Sequence, residues 1–368
     1  MNCFSKIGRS GKIIFDPGKE FEATRRLWQG CPTIEKTPNG ALLAGWYSGG
    51  KCEPDRKNYC LVVRSNDQGL HWSEPIIVID SLPNEGIRCI DIQLWLDPEN
   101  QFWVFWTQVT GWKNETPEHW ETWAMKTSNP DDHDILWSQP FYVTDGFLRC
   151  KPTALKDGRW LICSYNQDSE YYTYSESSDK GNTWSFHHSG KKVPTIFDES
   201  MILEHQNDIL HLFARTLDSG FLAESFSYDG GKSWTDGTNS TLIAPSSRFY
   251  IARLQSGHIL RVNSNHPSCR TNLTAYLSCD DGQTWPYSLL LDDRNGISYP
   301  DVVQLKDETL YIVYDWQRTI EKTIYLSCLT EADIIRGNIL EEKSFLHHIL
   351  SSAPHSINPH EDLDSAKK

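Results

Sequence analysis

Asp91, Lys151, Glu199, Arg248 and Tyr299 stand at matching places before a recurring turn. Arg215 and Arg270 add two more cations in the loops that follow. A guanidinium holds a carboxylate through two parallel N–H bonds, so three arginines converging on one point (Arg215, Arg248 and Arg270) suit a small anionic ligand. HExxH, the Walker loop and GxGxxG are all absent, and the ten Cys include no CxxC pair and no Cys/His cluster at zinc spacing. The site read this way calls for no metal and no cofactor: it is rich in Arg, lacks clustered His, and two acids do not make a metal cage.

The bulk composition narrows the class further. The chain has 368 residues, a net charge of −14, 15 Trp, 18 Pro and 23 Gly. So acidic a chain is a poor partner for nucleic acid or an anionic membrane surface. No apolar run approaches the roughly 20 residues of a spanning helix. Residues 1–17 hold no apolar core of signal-peptide length, so the chain as given reads as cytoplasmic; one trimmed of an export signal would look the same and be secreted or periplasmic. The cysteines read as reduced, small core residues. Oligomeric state leaves no signature.

What positions the candidate residues is a repeat. Ser-x-Asp-x-Gly-x-x-Trp occurs at Ser65, Ser177, Ser227 and Ser278, with steps of 112, 50 and 51 residues. The long first step accommodates a degenerate copy, Ser128-Asn129-Pro130-Asp131 with Trp137, and a further step of 49 lands on Ser327. A turn pair followed by an apolar, aromatic run also occurs six times, as in Asn39-Gly40 before ALLAGWY and Asp307-Glu308 before TLYIVYD. Turn residues between such runs mark hairpins. Four strands per unit, repeated about every 50 residues, make an all-β, six-bladed β-propeller of antiparallel blades. One such domain should occupy residues 1–353, with residues 354–368 as a loosely ordered tail. The run Ile13-Ile14-Phe15 is expected to supply an outer strand that closes the ring. In the repeated motif, Asp accepts backbone N–H bonds across the turn and Gly takes a positive φ, so these Asp are structural.

Propellers act at the mouth where the innermost strands begin. Counting nine residues back from the second turn residue gives Cys31, Asp91, Glu199, Arg248 and Tyr299. The third blade reads as shorter, which puts Lys151 in its place. Loops after the second strands face the same mouth and carry Glu53, Asp55, Arg215, Arg270 and Arg318. Trp28, Trp106, Trp112 and Trp316 are left as candidate pocket walls.

At these residues the chain resembles the sialidase (neuraminidase) superfamily. The four Asp boxes carry the resemblance over nearly the whole length. Glu199-Ser200 followed 16 residues later by Arg215, and Arg270 lying 29 residues before Tyr299, carry it at the site. The resemblance implies a Tyr299 nucleophile with Glu199 as its base, Arg215 and Arg270 on a substrate carboxylate, and Glu53 or Asp55 as acid/base. It departs at one point: the family's first Arg falls at Gly30, in Trp28-Gln29-Gly30-Cys31-Pro32, so Arg248 or Arg88 would have to complete the clamp. The implied function is an exo-acting glycoside hydrolase on a terminal acidic sugar, either a small molecule or a glycan end. A lyase acting on a uronic acid and a non-catalytic carbohydrate-binding propeller are the alternatives.

Overall fold

The computed structural model describes residues 8–110 and 119–354. It is a six-bladed antiparallel β-propeller, 4% helical. Blade 1 runs inward to outward through Gln29–Lys36, Leu42–Ser48, Tyr59–Ser65 and Ile77–Asp80. Blade 2 comprises Arg88–Leu96, Phe102–Thr110, His119–Thr127 and Phe141–Asp145. Blades 4, 5 and 6 follow the same order, beginning at Ser200–Glu204, Tyr250–Arg253 and Ile297–Gln304. Blade 3 is interrupted. Its innermost stretch splits into Phe147–Leu148, paired with Ser164–Tyr165, and Thr153–Ala154, paired with Trp160–Ile162.

Middle strands are covered on both faces by neighbouring blades, so they are continuous apolar runs rather than alternating ones. Phe102–Thr110, FWVFWTQVT, is buried at every position. The outermost strand of blade 4, Thr238–Ile243, is mostly exposed. Each gap between blades holds its own apolar cluster; Ile34, Leu61, Val313 and Leu326 fill the one between blades 6 and 1.

The Asp boxes join third to fourth strands. In blade 4, Ser227 Oγ donates to Asp229 at 2.9 Å, Gly231 N–H donates to Ser227 Oγ at 2.8 Å, and Ser233 N–H donates to Asp229 at 2.9 Å. Gly231 takes a φ of 95°, which a side chain would strain. In blade 2 the degenerate copy sits one residue earlier than Ser128: Thr127 Oγ1 donates to Asn129 Oδ1 at 2.7 Å, and Asn129 Oδ1 accepts from Leu136 N–H at 3.2 Å across a longer turn. In blade 6 Ser327 lies within the third strand, Thr323–Leu329, and the box gives way to a capped helix, Glu331–Arg336.

Ring closure differs from the expectation. Lys12–Phe15 is an outer strand, but it extends blade 1 by pairing with Ile77–Asp80. Blade 6 is complete in itself, with Phe345–Ser352 as its fourth strand. The seam is bolted instead by two buried carboxylates of blade 6 that accept from blade 1. Asp301 accepts from Thr33 Oγ1 at 2.7 Å and Ile34 N–H at 2.9 Å, and Asp315 accepts from Cys31 N–H at 2.7 Å.

The nine cysteines among the described residues are free thiols; six are buried as expected, but Cys52, Cys269 and Cys279 are exposed. No helix among the described residues is long and apolar enough to cross a membrane. The tail from 355 onward lies outside the described residues.

Candidate active site

The innermost strands of blades 1, 2 and 6 each slip register at the mouth of the channel, at Gly30/Thr33, Ile90/Ile92 and Ser298/Asp301. Within each slip one residue adopts a left-handed backbone: Cys31 (φ 58°), Asp91 (φ 46°) and Tyr299 (φ 56°). A non-glycine residue in such a conformation costs roughly 1–3 kcal/mol and persists only where surrounding contacts enforce it. These are three of the positions found by counting back from the turns. Here the strain turns Asp91 and Tyr299 into the centre of the ring.

Tyr299 Oη donates to Glu199 Oε1 at 2.5 Å, and both side chains are buried. Arg149 Nη1 donates to Glu199 Oε1 at 2.9 Å and to Tyr299 Oη at 3.0 Å. Arg215 Nη1 donates to Glu199 Oε2 at 3.0 Å and to Tyr299 Oη at 3.2 Å. Burial alone would raise the Glu199 carboxyl, but the Arg215 and Arg149 guanidiniums outweigh it and hold the group at about 2. Burial, reinforced by the Glu199 charge, pushes the Tyr299 phenol up to about 12. The pair is therefore a neutral phenol whose proton already points at an ionised carboxylate.

Around the phenol is a cavity of about 450 Å³ lined by both apolar and charged residues, with Arg149 and Arg215 stacked against Phe197. Ile90, Val109, Trp120, Phe147 and Phe197 supply its apolar lining; Arg88, Arg149, Arg215, Arg270, Arg318 and Glu53 supply the charged lining. The Arg318 guanidinium carbon is 4.0 Å from the Tyr299 ring centre and that of Arg270 is 5.5 Å away. Glu53 reaches in from blade 1, 3.2 Å from Arg318 and 3.7 Å from Arg149. Asp91 lies deeper, 2.9 Å from Arg149. Burial lifts its carboxyl to about 6, Arg149 opposing and Glu53 adding. Cys31, Glu53 and Asp91 bring their potential ligand atoms within 4.8 Å of one another. Arg149 and Arg318 already balance the two acids, and burial pushes the Cys31 thiol well above its ordinary value. The two acids are thus ion-paired beside a neutral thiol, and Glu53 alone of the three lines the cavity.

The structure brings Tyr299, Glu199, Glu53, Asp91, Arg88, Arg215, Arg270 and Arg318 together, and sets three candidates apart. Lys151 points to the far end of the channel, into Glu35 at 3.0 Å and the carbonyls of Ile34 and Val302. Arg248 sits beneath the site with its guanidinium committed to the carbonyls of Pro32, Arg149, Tyr299 and Pro300. Asp55 caps its own loop, accepting from Lys51 and Lys57 N–H. The tryptophan walls also differ: Trp28 and Trp106 are core residues, Trp316 packs on Arg294, Trp112 is outside the described residues, and Trp120 faces the cavity. The residue missed was Arg149. Nine residues back from Gly158, the count used for the other five blades lands on it.

Asp-box blades around a buried Tyr–Glu pair and an arginine-lined mouth define a propeller of the sialidase superfamily. The chain belongs to the BNR repeat-like domain family, which matches residues 40–312. It is 27% identical over 328 residues to a sialidase of Micromonospora viridifaciens and 30% identical over 348 residues to a sialidase of Bacteroides fragilis. These alignments cover 77% and 83% of this chain. The chain spans only 49% and 62% of the lengths of those two relatives. Among solved structures, the intramolecular trans-sialidase of Ruminococcus gnavus shares the fold with a TM-score of 0.70 at 15% identity, covering 88% of this chain and 98% of that one.

Proposed function

We propose that the protein is an exo-acting glycosidase of sialidase type that cleaves a terminal sugar bearing a carboxylate at its anomeric carbon. The observation that carries this reading is the 2.5 Å contact between Tyr299 and Glu199 beneath a wall of guanidiniums. A carboxylate nucleophile would be repelled by an anomeric carboxylate. A phenol that becomes nucleophilic only as its proton leaves is not. Tyrosine nucleophiles of this kind are the recognised exception to the paired-carboxylate scheme.

In this scheme Arg215 and Arg270 hold the substrate carboxylate beside the Tyr299 ring. Tyr299 Oη bonds to the anomeric carbon as its proton passes to Glu199, and Glu53, entering the step as the carboxylic acid, protonates the departing glycosidic oxygen. Water then attacks the same carbon, giving its proton to Glu53. The C–O bond to Tyr299 breaks, and the phenol recovers its proton from Glu199. The aromatic wall of Phe147, Phe197 and Trp120 receives the less polar face of the sugar.

The test is release of aryl alcohol from α-linked aryl glycosides of sialic acid, related nonulosonates and octulosonates, and uronic acids. Turnover of a 2-ketoacid glycoside, lowered about 10²–10⁴-fold in Tyr299→Phe with ligand binding retained, is the expected result. Full activity in both Tyr299→Phe and Glu199→Gln would sink the mechanism. An unsaturated uronate among the sugar products would show elimination instead.

A further inference from the structure

We propose that Arg318 is the third arm of the carboxylate clamp, beside Arg215 and Arg270, and that Gly30 is what gives it room. This rests on the reading of the site as one for a carboxylate-bearing sugar. A Cβ at position 30 would lie 2.6 Å from Arg318 Cδ, 2.8 Å from Cγ and 2.9 Å from Nε. Those atoms are the middle of the arm, and the arm is tethered. Nε donates to Asp315 at 2.8 Å, Nη2 to Ser298 Oγ at 3.1 Å and Nη1 to Glu53 at 3.2 Å. Asp315 is itself fixed by Cys31 N–H and Ser298 Oγ, so the guanidinium cannot swing away from an added methyl group. Gly30 pairs with Tyr47 in the blade and is not among the glycines of positive φ. Space, rather than backbone conformation, accounts for its lack of a side chain.

Two further features turn this packing into a binding proposal. The three tethers use three of the five N–H groups of a guanidinium, leaving one on each terminal nitrogen, the number a bidentate carboxylate takes. The cations also feel one another: burial lowers the Arg270 pKa first, and Arg318 and Arg215 add to the fall by repulsion while Tyr299 and Glu199 oppose it. An anion placed between them relieves that repulsion. The position left empty of a basic side chain at Gly30 is thereby refilled from the loop after the second strand of blade 6.

The experiment compares an aryl α-sialoside with its C1 carboxamide, in the wild type and in Arg318→Met, Arg318→Lys, Gly30→Ala and the pair Gly30→Arg/Arg318→Ala. Losing one charge-assisted contact should lower kcat/KM on the acid by about 10–100-fold in Arg318→Met. The carboxamide should change less than about threefold, because its neutral group gains little from the cation. Gly30→Ala should follow Arg318→Met, Arg318→Lys should fall between, and the paired variant should recover at least part of the loss. Equal loss on both substrates would assign Arg318 to scaffolding and overturn the proposal. An acid kcat/KM within about threefold of wild type in Arg318→Met would overturn it while leaving the glycosidase reading intact. Should the wild type neither turn over nor bind the acid by titration calorimetry, the glycosidase reading itself fails, and the clamp with it.

Discussion

Arg149 and Glu199 form a buried ion pair at 2.9 Å, and the same guanidinium nitrogen stands 3.0 Å from Tyr299 Oη. Its other terminal nitrogen meets Asp91 at 2.9 Å, so one side chain from blade 3 holds acids from blades 2 and 4. Arg149→Met should therefore do two things. It leaves the buried Asp91 carboxylate without its ion-pair partner, which costs about 3–5 kcal/mol in urea unfolding. It also removes one of the two charges that keep Glu199 at about 2, so the acidic limb of kcat/KM should move to higher pH.

Asp91 gives a pH signature in stability. Its folded carboxyl is raised from 3.8 to about 6 by burial, with Arg149 opposing. A raised carboxyl favours the folded state while protonated, so this contribution is complete below about pH 4 and lost as pH climbs through 6. The unfolding free energy of Asp91→Asn, minus that of the wild type, should rise between those limits and level off above them. A flat difference across denaturation curves at several pH values would contradict the assignment.

The Asp boxes should behave oppositely. Asp229 and Asp280 are held at about 2, chiefly by side-chain bonds from Ser233 and Thr284 together with the backbone N–H of the same residues. A depressed carboxyl stabilises the fold above its ordinary value near 3.8 and stops doing so as pH falls towards 2. Asp229→Ala and Asp280→Ala should lower the thermal midpoint at pH 7, less so at pH 3, with kcat/KM unchanged. Loss of turnover without loss of stability would give these residues a role in the chemistry.

Lys151→Met tests the two ends of the channel against each other. The ammonium is buried against Glu35, with Asp301 at 3.6 Å, so removing it should destabilise the protein. The far-end cavity that Lys151 lines, about 420 Å³, is shared with Glu204 and Arg253 and contains none of the Tyr299 group. KM for the acid sugar should stay within a few-fold of wild type, measured in the same aryl glycoside assay.

The blade count was legible because Ser, Asp, Gly and Trp in the boxes each answer to a local turn geometry that no neighbour can override. The nine-residue count worked for the same reason, since hairpin length ties strand start to turn. It holds even in blade 3, whose inner stretch breaks between Leu148 and Thr153: the count reaches Arg149, whereas reading that blade as shorter points to Lys151 two positions on. Side-chain direction was beyond such reasoning. Arg248 occupies the right strand position yet turns down onto four backbone carbonyls. Asp55, in the same loop as Glu53, spends its oxygens on that loop. Gly30 read as a missing cation because Arg318, nearly the whole chain away, meets it only once the ring is closed.

The way the ring closes has a consequence for how the protein fails. The junction of blades 6 and 1 is joined through Asp301 and Asp315 rather than by an interleaved strand, and Cys31, Tyr299 and Arg318 flank it. Parting of that junction is a smaller opening than melting of a blade, and local openings of this kind precede global unfolding. On rising denaturant, inactivation should run ahead of the loss of β-sheet signal. Amides of Cys31 and Ile34 should exchange with solvent sooner than those of the middle strand of blade 2.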